Sequence, residues 1–155
     1  MSDGRLLAGE RLLPPQLFAA AVAFMIGLHL IEPGLRLLES PWTWLGALPA
    51  GIGLALNIWA DRLFKYRGTT VKPFQASTML VSEGPFRLSR NPMYLGMVLA
   101  LIGLGLVLGS ASPLVIVVFF AVILDQRFIR AEEAKMEAEF GEQYRAYAQR
   151  VRRWI

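Results

Sequence analysis

Five charged side chains crowd into a short stretch near the C-terminal end: Asp125, Arg127, Arg130, Glu132 and Glu133. Carboxylates can accept hydrogen bonds from an amine or a hydroxyl, and guanidinium groups can hold an anion. Asp125 precedes Glu132 by seven residues, two turns of an α-helix, which predicts that both lie on one helix face. Taken by itself, such a run also fits an ordinary solvated face. A second string offers complementary chemistry: Gly84-Pro85-Phe86-Arg87-Leu88-Ser89-Arg90-Asn91-Pro92-Met93-Tyr94-Leu95-Gly96. Gly84-Pro85 makes a turn, and Asn91-Pro92 starts a helix with Asn as cap and Pro in the first turn. The free N–H groups and positive dipole at that helix start favour a carboxylate or a similar anion. Cys is absent and His29 is the single histidine, so disulfides, thiolate metal sites and a His-rich metal site are not expected.

The elements that position these strings are hydrophobic. Apolar residues make up 55% of the 155-residue chain and charged residues 18%, with the charges clustered and long stretches nearly free of them. Spanning a bilayer takes roughly 20 apolar residues in a helix. We therefore expect an all-α integral membrane protein with four transmembrane helices at about residues 16–32, 42–61, 92–109 and 113–130. A C-terminal amphipathic cytoplasmic segment follows over residues 131–155, and residues 1–155 form a single membrane domain. The first stretch starts after Pro14-Pro15 and has no small-x-small cleavage site behind it, so it reads as a spanning helix rather than a signal peptide. Gly109 to Pro113 is short enough only for a tight hairpin.

Lys and Arg set the orientation. The 61–91 connection carries Arg62, Lys65, Arg67, Lys72, Arg87 and Arg90, and the chain from Asp125 onward carries seven basic residues. The 32–41 loop holds only Arg36, and the 109–113 turn none. Four spans with both termini in the cytoplasm satisfy every loop. The expected location is the inner membrane of a prokaryote. Trp42, Trp44 and Trp59 fall near the ends of the second span, as interfacial aromatics do. In the tail, Met136, Phe140, Tyr144, Tyr147 and Val151 recur at helical spacing on one face. That is one amphipathic helix, or two broken near Gly141, lying on the membrane or capping a cytoplasmic pocket.

The 84–96 string resembles the G-P-Y-R-x-x-R-H-P-x-Y-x-G signature of the isoprenylcysteine carboxyl methyltransferase and phospholipid methyltransferase superfamily. Glu132-Glu133, Phe140-Gly141-Glu142-Gln143-Tyr144, Tyr147 and Val151-Arg152-Arg153 resemble its E-E…F-G-x-x-Y-x-x-Y-x-x-R-V-P ending. The resemblance runs from Thr69 to Trp154. It implies a membrane-embedded methyltransferase that uses S-adenosylmethionine, with a cytoplasmic cofactor pocket and a lateral opening for lipophilic acceptors. By resemblance, cofactor contacts fall on Thr78, Met79, Leu80, Val81, Phe86, Asn91, Pro92, Met93, Tyr94 and Glu132, with Glu133 in support. The acceptor is a small or lipophilic carboxylate, amine or thiol. Membrane lipid is a partner and nucleic acid is not.

Two departures matter, and a third is minor. Asn91 replaces the usual His and cannot titrate near neutral pH. Phe86 replaces a Tyr. Arg152-Arg153 stand where Val-Pro is usual. Carboxyl methyltransferases of the superfamily hold the substrate carboxylate with an Arg at about the place of Phe128, which leaves Arg127 and Arg130 as the candidates here. Asp125 is a candidate to orient the nucleophile or act as a weak base. Two other functions fit the sequence less closely: an NADPH-dependent membrane reductase on a related scaffold, and a non-catalytic membrane adaptor. Asn57 and Asp61, polar groups near the end of the second span, invite suspicion of function. Asp61 equally fits a pair with Arg62 or Lys65, and His29 reads as a packed or interfacial residue. Gly105 and Gly109 form a G-x-x-x-G pair suited to close helix packing.

Overall fold

The computed structural model describes residues 13–67 and 80–155. Its regular elements are helical: α1 (Pro14–Ile31), α2 (Ala47–Tyr66), α3 (Pro92–Leu108), α4 (Ser112–Ile123), α5 (Arg130–Phe140) and α6 (Glu142–Arg150). A 3-10 turn, Trp42–Gly46, leads into α2, and a π-helical stretch, Leu124–Ile129, joins α4 to α5 without a break. Among the described residues there is no strand, only an isolated bridge between Arg36 and Ser110. Three helices are long and apolar enough to cross a membrane: Pro14–Ile31, Trp42–Tyr66 and Ser112–Phe140. Helix α3 is apolar but shorter, at 17 residues. Outward side chains on these rods are large and apolar, including Phe24, Trp44, Leu48 and Phe119, each more than 60% exposed. Soluble monomers do not carry apolar surface on that scale, and lipid accounts for it.

Proline and glycine mark the helix ends. Pro14-Pro15 open α1, where the first N–H groups have no helical partner anyway, and Glu32-Pro33-Gly34 closes it. Pro92 opens α3, and Gly109 ends it with φ +72°, its N–H returning to Gly105 O and Leu106 O. The hairpin turn that follows is stitched to the loop before α2. Gly109 O accepts from Leu37 N at 2.8 Å, and Ala111 N donates to Leu35 O at 2.9 Å. His29 Nδ1 and Ser110 Oγ meet at 2.7 Å at the same end, where Ser110 is buried. His29 is thus packed at the end opposite the sequence motifs.

Helices α2 and α3 make the closest crossing. Gly46 and Gly53 face Gly103 and Gly96, seven residues apart on each helix, and each glycine lies against the opposing backbone carbonyl. Between apolar helices in lipid there is little hydrophobic gain, so close backbone approach through small residues supplies the packing. The expected pair at Gly105 and Gly109 plays a different part. Gly105 accommodates Leu114 of α4, while Gly109 makes the hairpin turn. Asn57 is also explained by this crossing: its Nδ2 donates to Gly53 O at 3.0 Å and lies over Gly96. Asp61 pairs with Lys65 at 2.6 Å, one turn away on α2. Helices α1 and α4 pack side by side, with Phe18 edge-on to Phe120 at 6.1 Å.

A Cβ at Gly53 would collide with Gly96 O and lie 2.8 Å from Ala100 N, both backbone atoms that cannot swing aside. Gly53→Val is expected to destabilise the fold by about 1–3 kcal/mol in thermal unfolding of the detergent-solubilised protein. Gly51→Ala, where nothing lies within 4 Å of an added Cβ, is the matched control and is expected to be neutral or slightly stabilising. Equal stability of the two variants would refute the crossing.

Candidate active site at the start of helix α3

The motif string builds a compact turn. Gly84 (φ +58°) lets the chain reverse beside Trp59 and Leu63 of α2, and a 3-10 turn, Gly84–Arg87, buries Pro85 and Phe86. Phe86 stacks edge-on against Phe64 at 5.2 Å. Ser89, fully buried, accepts the Asn91 N–H at 3.0 Å and donates to Arg153 O at 3.0 Å. Asn91 occupies the N-cap position of α3, yet its side chain does not cap the helix. Its Nδ2 donates instead to Arg153 O at 3.1 Å. The expected Asn cap is therefore corrected: the amide is spent on the C-terminal chain, which passes across this helix start.

Tyr94, on the first turn of α3, is buried and donates its hydroxyl to Glu132 Oε1 at 2.7 Å. The two sequence motifs, 38 residues apart at this pair, thus meet in one hydrogen bond. Phe128 is buried against the Tyr94 ring, centroids 6.4 Å apart.

Asp125 goes elsewhere than the sequence periodicity indicates. The π-helical stretch Leu124–Ile129 adds a residue to one turn, so the residue two turns beyond Asp125 is Glu133 rather than Glu132. Arg153 makes the connection. Its Nη1 donates to Asp125 Oδ1 at 3.2 Å, and its Nε and Nη2 donate to Glu133 Oε2 at 3.1 and 2.7 Å. Arg90 approaches the other oxygen of Glu133 with Nη2 at 3.2 Å, as a charge pair outside good hydrogen-bond alignment. Arg90 Nη1 also reaches the Tyr144 hydroxyl at 3.4 Å. Arg130 closes the cluster through Asp125 Oδ2 at 3.1 Å. Arg90, Arg130, Glu133, Tyr144 and Arg153 line an open cleft of about 300 Å³ together with Arg145 of α6.

The tail is two helices broken at Gly141, which has φ +49°. Its apolar face points inward: Tyr144 and Tyr147 are buried with Phe86, Val81 and Ala60, and Met136, Phe140 and Val151 pack around them. Tyr147 donates to Phe86 O at 2.7 Å. Burial pushes the Tyr147 hydroxyl above its ordinary range, with Tyr144 adding to the effect and Arg90 opposing it. Tyr144 is raised as well, by burial first and then by Glu133, against Arg90.

The remaining sequence candidates are placed as follows. Val81 is buried and Leu80 and Met93 are half-buried in the cluster around Phe86, and Pro92 is buried at the helix start. Thr78 and Met79 lie outside the described residues. Arg127 is exposed on the π-helical stretch. Arg130 is exposed and engaged by Asp125. Sequence reasoning missed Arg153 and Ser89. Arg153 stood out only as a departure from an expected ending, and Ser89 carried no signal at all.

A family model described as phospholipid methyltransferase matches residues 41–143. An uncharacterized protein of Haemophilus influenzae is 40% identical over 63 residues, which is 41% of this chain and the whole of that protein. No solved structure matches.

The Tyr147–Phe86 bond ties α6 to the motif turn. Tyr147→Phe is expected to lower stability at neutral pH by about 1–2 kcal/mol. It also has a pH signature. The folded chain holds the Tyr147 proton more tightly than the unfolded chain, so this stabilisation is full below about pH 10 and falls as pH rises above it. Unfolding curves from pH 8 to 11 are expected to show a shallower alkaline decline in the variant than in the wild type. Parallel curves would rule out the buried hydroxyl as the cause.

Proposed function

The chain belongs to the phospholipid methyltransferase family, and on that premise we propose that it transfers a methyl group from S-adenosylmethionine to a small or lipophilic acceptor at the cytoplasmic membrane face. The observation that carries this reading is the buried Tyr94–Glu132 hydrogen bond, which brings both motifs to one place. The residues around it suit the donor. Glu132 keeps acceptor capacity beyond the Tyr94 bond and can take an ammonium or ribose hydroxyls. The N–H groups of Met93 and Tyr94 have no acceptor within their own helix and suit a carboxylate. Tyr94 and Phe86 provide aromatic faces for a sulfonium or an adenine. The donor supplies an activated methyl group, and the chain's part is to hold both reactants in line and exclude water.

The acceptor end supports an amine better than a carboxylate. Phe128, at the place of the carboxylate-holding Arg, packs on Tyr94, Arg130 is engaged by Asp125, and Arg127 points to the exterior. Asp125, held by Arg130 and Arg153, orients this network.

The membrane topology in this proposal has four spans, with α3 and the continuous α4–α5 rod as the third and fourth, in one domain over residues 1–155. The stitched loops at 33–38 and 109–111 support it, since they lie together at the end away from the motifs. Both termini then sit on the cytoplasmic side of a prokaryotic inner membrane, and the tail, with its apolar face already covered, caps the site.

Calorimetry on the folded protein is expected to show S-adenosylmethionine binding, and Glu132→Gln is expected to weaken it on the order of tenfold. A radiolabelled-methyl assay with membrane extract identifies the acceptor class, and absence of binding to folded wild type would sink the reading. Because the chain has no Cys, orientation is testable with single-cysteine variants. Arg150→Cys is expected to react with a membrane-impermeant maleimide only in inverted vesicles, and Gly34→Cys only in right-side-out cells.

A further inference from the structure

The last five residues form a strap that runs from one core of the protein to the other. Val151 packs in the cluster of Phe86, Tyr144 and Tyr147. Trp154 packs on the cluster of Tyr94, Leu101 and Phe128. Between them lies Arg153, which engages its neighbours at both its backbone and its side chain. Its carbonyl accepts from Ser89 Oγ and Asn91 Nδ2, the two polar side chains at the start of α3. Its guanidinium grips Glu133 with two donors and Asp125 with a third. Next to it, Arg152 O accepts the Arg90 N–H at 3.0 Å, and Arg90 pairs with the same Glu133.

Arg153 therefore joins the turn before Tyr94 to the junction of the π-helical stretch, with its Asp125, and the first turn of α5, two regions distant in sequence. Glu133 is the chain neighbour of Glu132, and Asn91 lies three residues before Tyr94. Both members of the Tyr94–Glu132 bond are thus one short covalent step from groups that Arg153 holds. Glu133 is only 14% exposed, and both guanidinium groups face its carboxylate.

We infer that Arg153 is a positioning residue for the cofactor site: it sets the start of α3 against the first turn of α5 so that Tyr94 and Glu132 meet. The inference rests on the reading of that pair as the S-adenosylmethionine site. Arg153 acts through others, and it needs the planar fork as well as the charge. A lysine restores the charge but not the two-donor grip on Glu133.

The test measures S-adenosylmethionine affinity by calorimetry, the KM for donor and acceptor, and thermal stability, for Arg153→Met, Arg153→Lys, Glu133→Gln and the double variant Arg153→Met/Glu133→Gln. Arg150→Met, an exposed position on α6, controls for lost charge. Arg153→Met is expected to weaken donor affinity on the order of tenfold and raise the donor KM, with the acceptor KM unchanged. Arg153→Lys is expected to fall between it and wild type. The double variant is expected to lose no more than the stronger single variant, because both remove one coupling. A folded Arg153→Met protein with wild-type donor affinity would overturn the inference and leave the donor reading intact. So would a loss shared equally by donor and acceptor KM, or fully additive losses in the double variant. A folded wild type that binds no donor would overturn both.

Discussion

Glu133 is an acid held almost out of water between two guanidinium groups. Losing a partner leaves part of that charge uncompensated, at a cost below the about 3–5 kcal/mol of a fully buried pair because Arg153 is itself 35% exposed. The geometry around it follows from that requirement. Arg90 must come from the turn before α3 and Arg153 from the end of the chain, so both segments are brought against α5. Once they are there, the carbonyl of Arg153 is available to Ser89 and Asn91, and the Tyr94 hydroxyl lies within reach of Glu132. The polar site is assembled around one carboxylate that does not itself take part in the Tyr94 bond.

The apolar half of the molecule solves a different problem. Lipid gives helices little reason to associate through oiliness, so α2 and α3 are held by close backbone approach at four glycines. That crossing places the start of α3 next to the end of α2, where Trp59 and Leu63 receive the Gly84 turn. The rigid glycine contact and the charge cluster thus fix the same helix, α3, along its length and at its N-terminal end.

The tail connects the two halves. Its apolar face, which by composition could equally have entered the membrane surface, is filled by Phe86, Val81 and Ala60. The hydroxyl of Tyr147 finds its acceptor on the motif turn, which satisfies a buried donor and anchors α6. The tail is therefore part of the wall of the candidate site, with Arg145 at its cleft and Arg150 exposed.

Helix identity and order were legible in the sequence, because apolar length and Pro or Gly punctuation act locally. Pro92 opens α3 and Gly109 ends it for reasons that reside in those residues alone. The recurrence from Met136 to Val151 announced a one-sided tail for the same reason, and two motif strings carried the resemblance to the family that residues 41–143 match. What periodicity could not supply was the extra residue in the π-helical stretch, which moved Asp125 from the Glu132 side to Glu133. Nor could it supply the choice of partner for Asn91, whose amide suits a helix cap as well as a carbonyl from a chain end 62 residues away. The glycines at 46, 53, 96 and 103 were present in the sequence, but which of them face each other depends on how α2 and α3 cross. Local chemistry is written residue by residue, whereas pairing between distant segments is decided by which buried charges and backbones must satisfy one another in the folded chain. Arg127, Arg130, Asp125, Glu132 and Glu133 are the clearest case. The sequence presented five charged residues within nine positions, and only the tertiary structure sorted them into an outward Arg127, a network of Asp125 and Glu133 with Arg130 at its exposed edge, and a single carboxylate turned toward Tyr94.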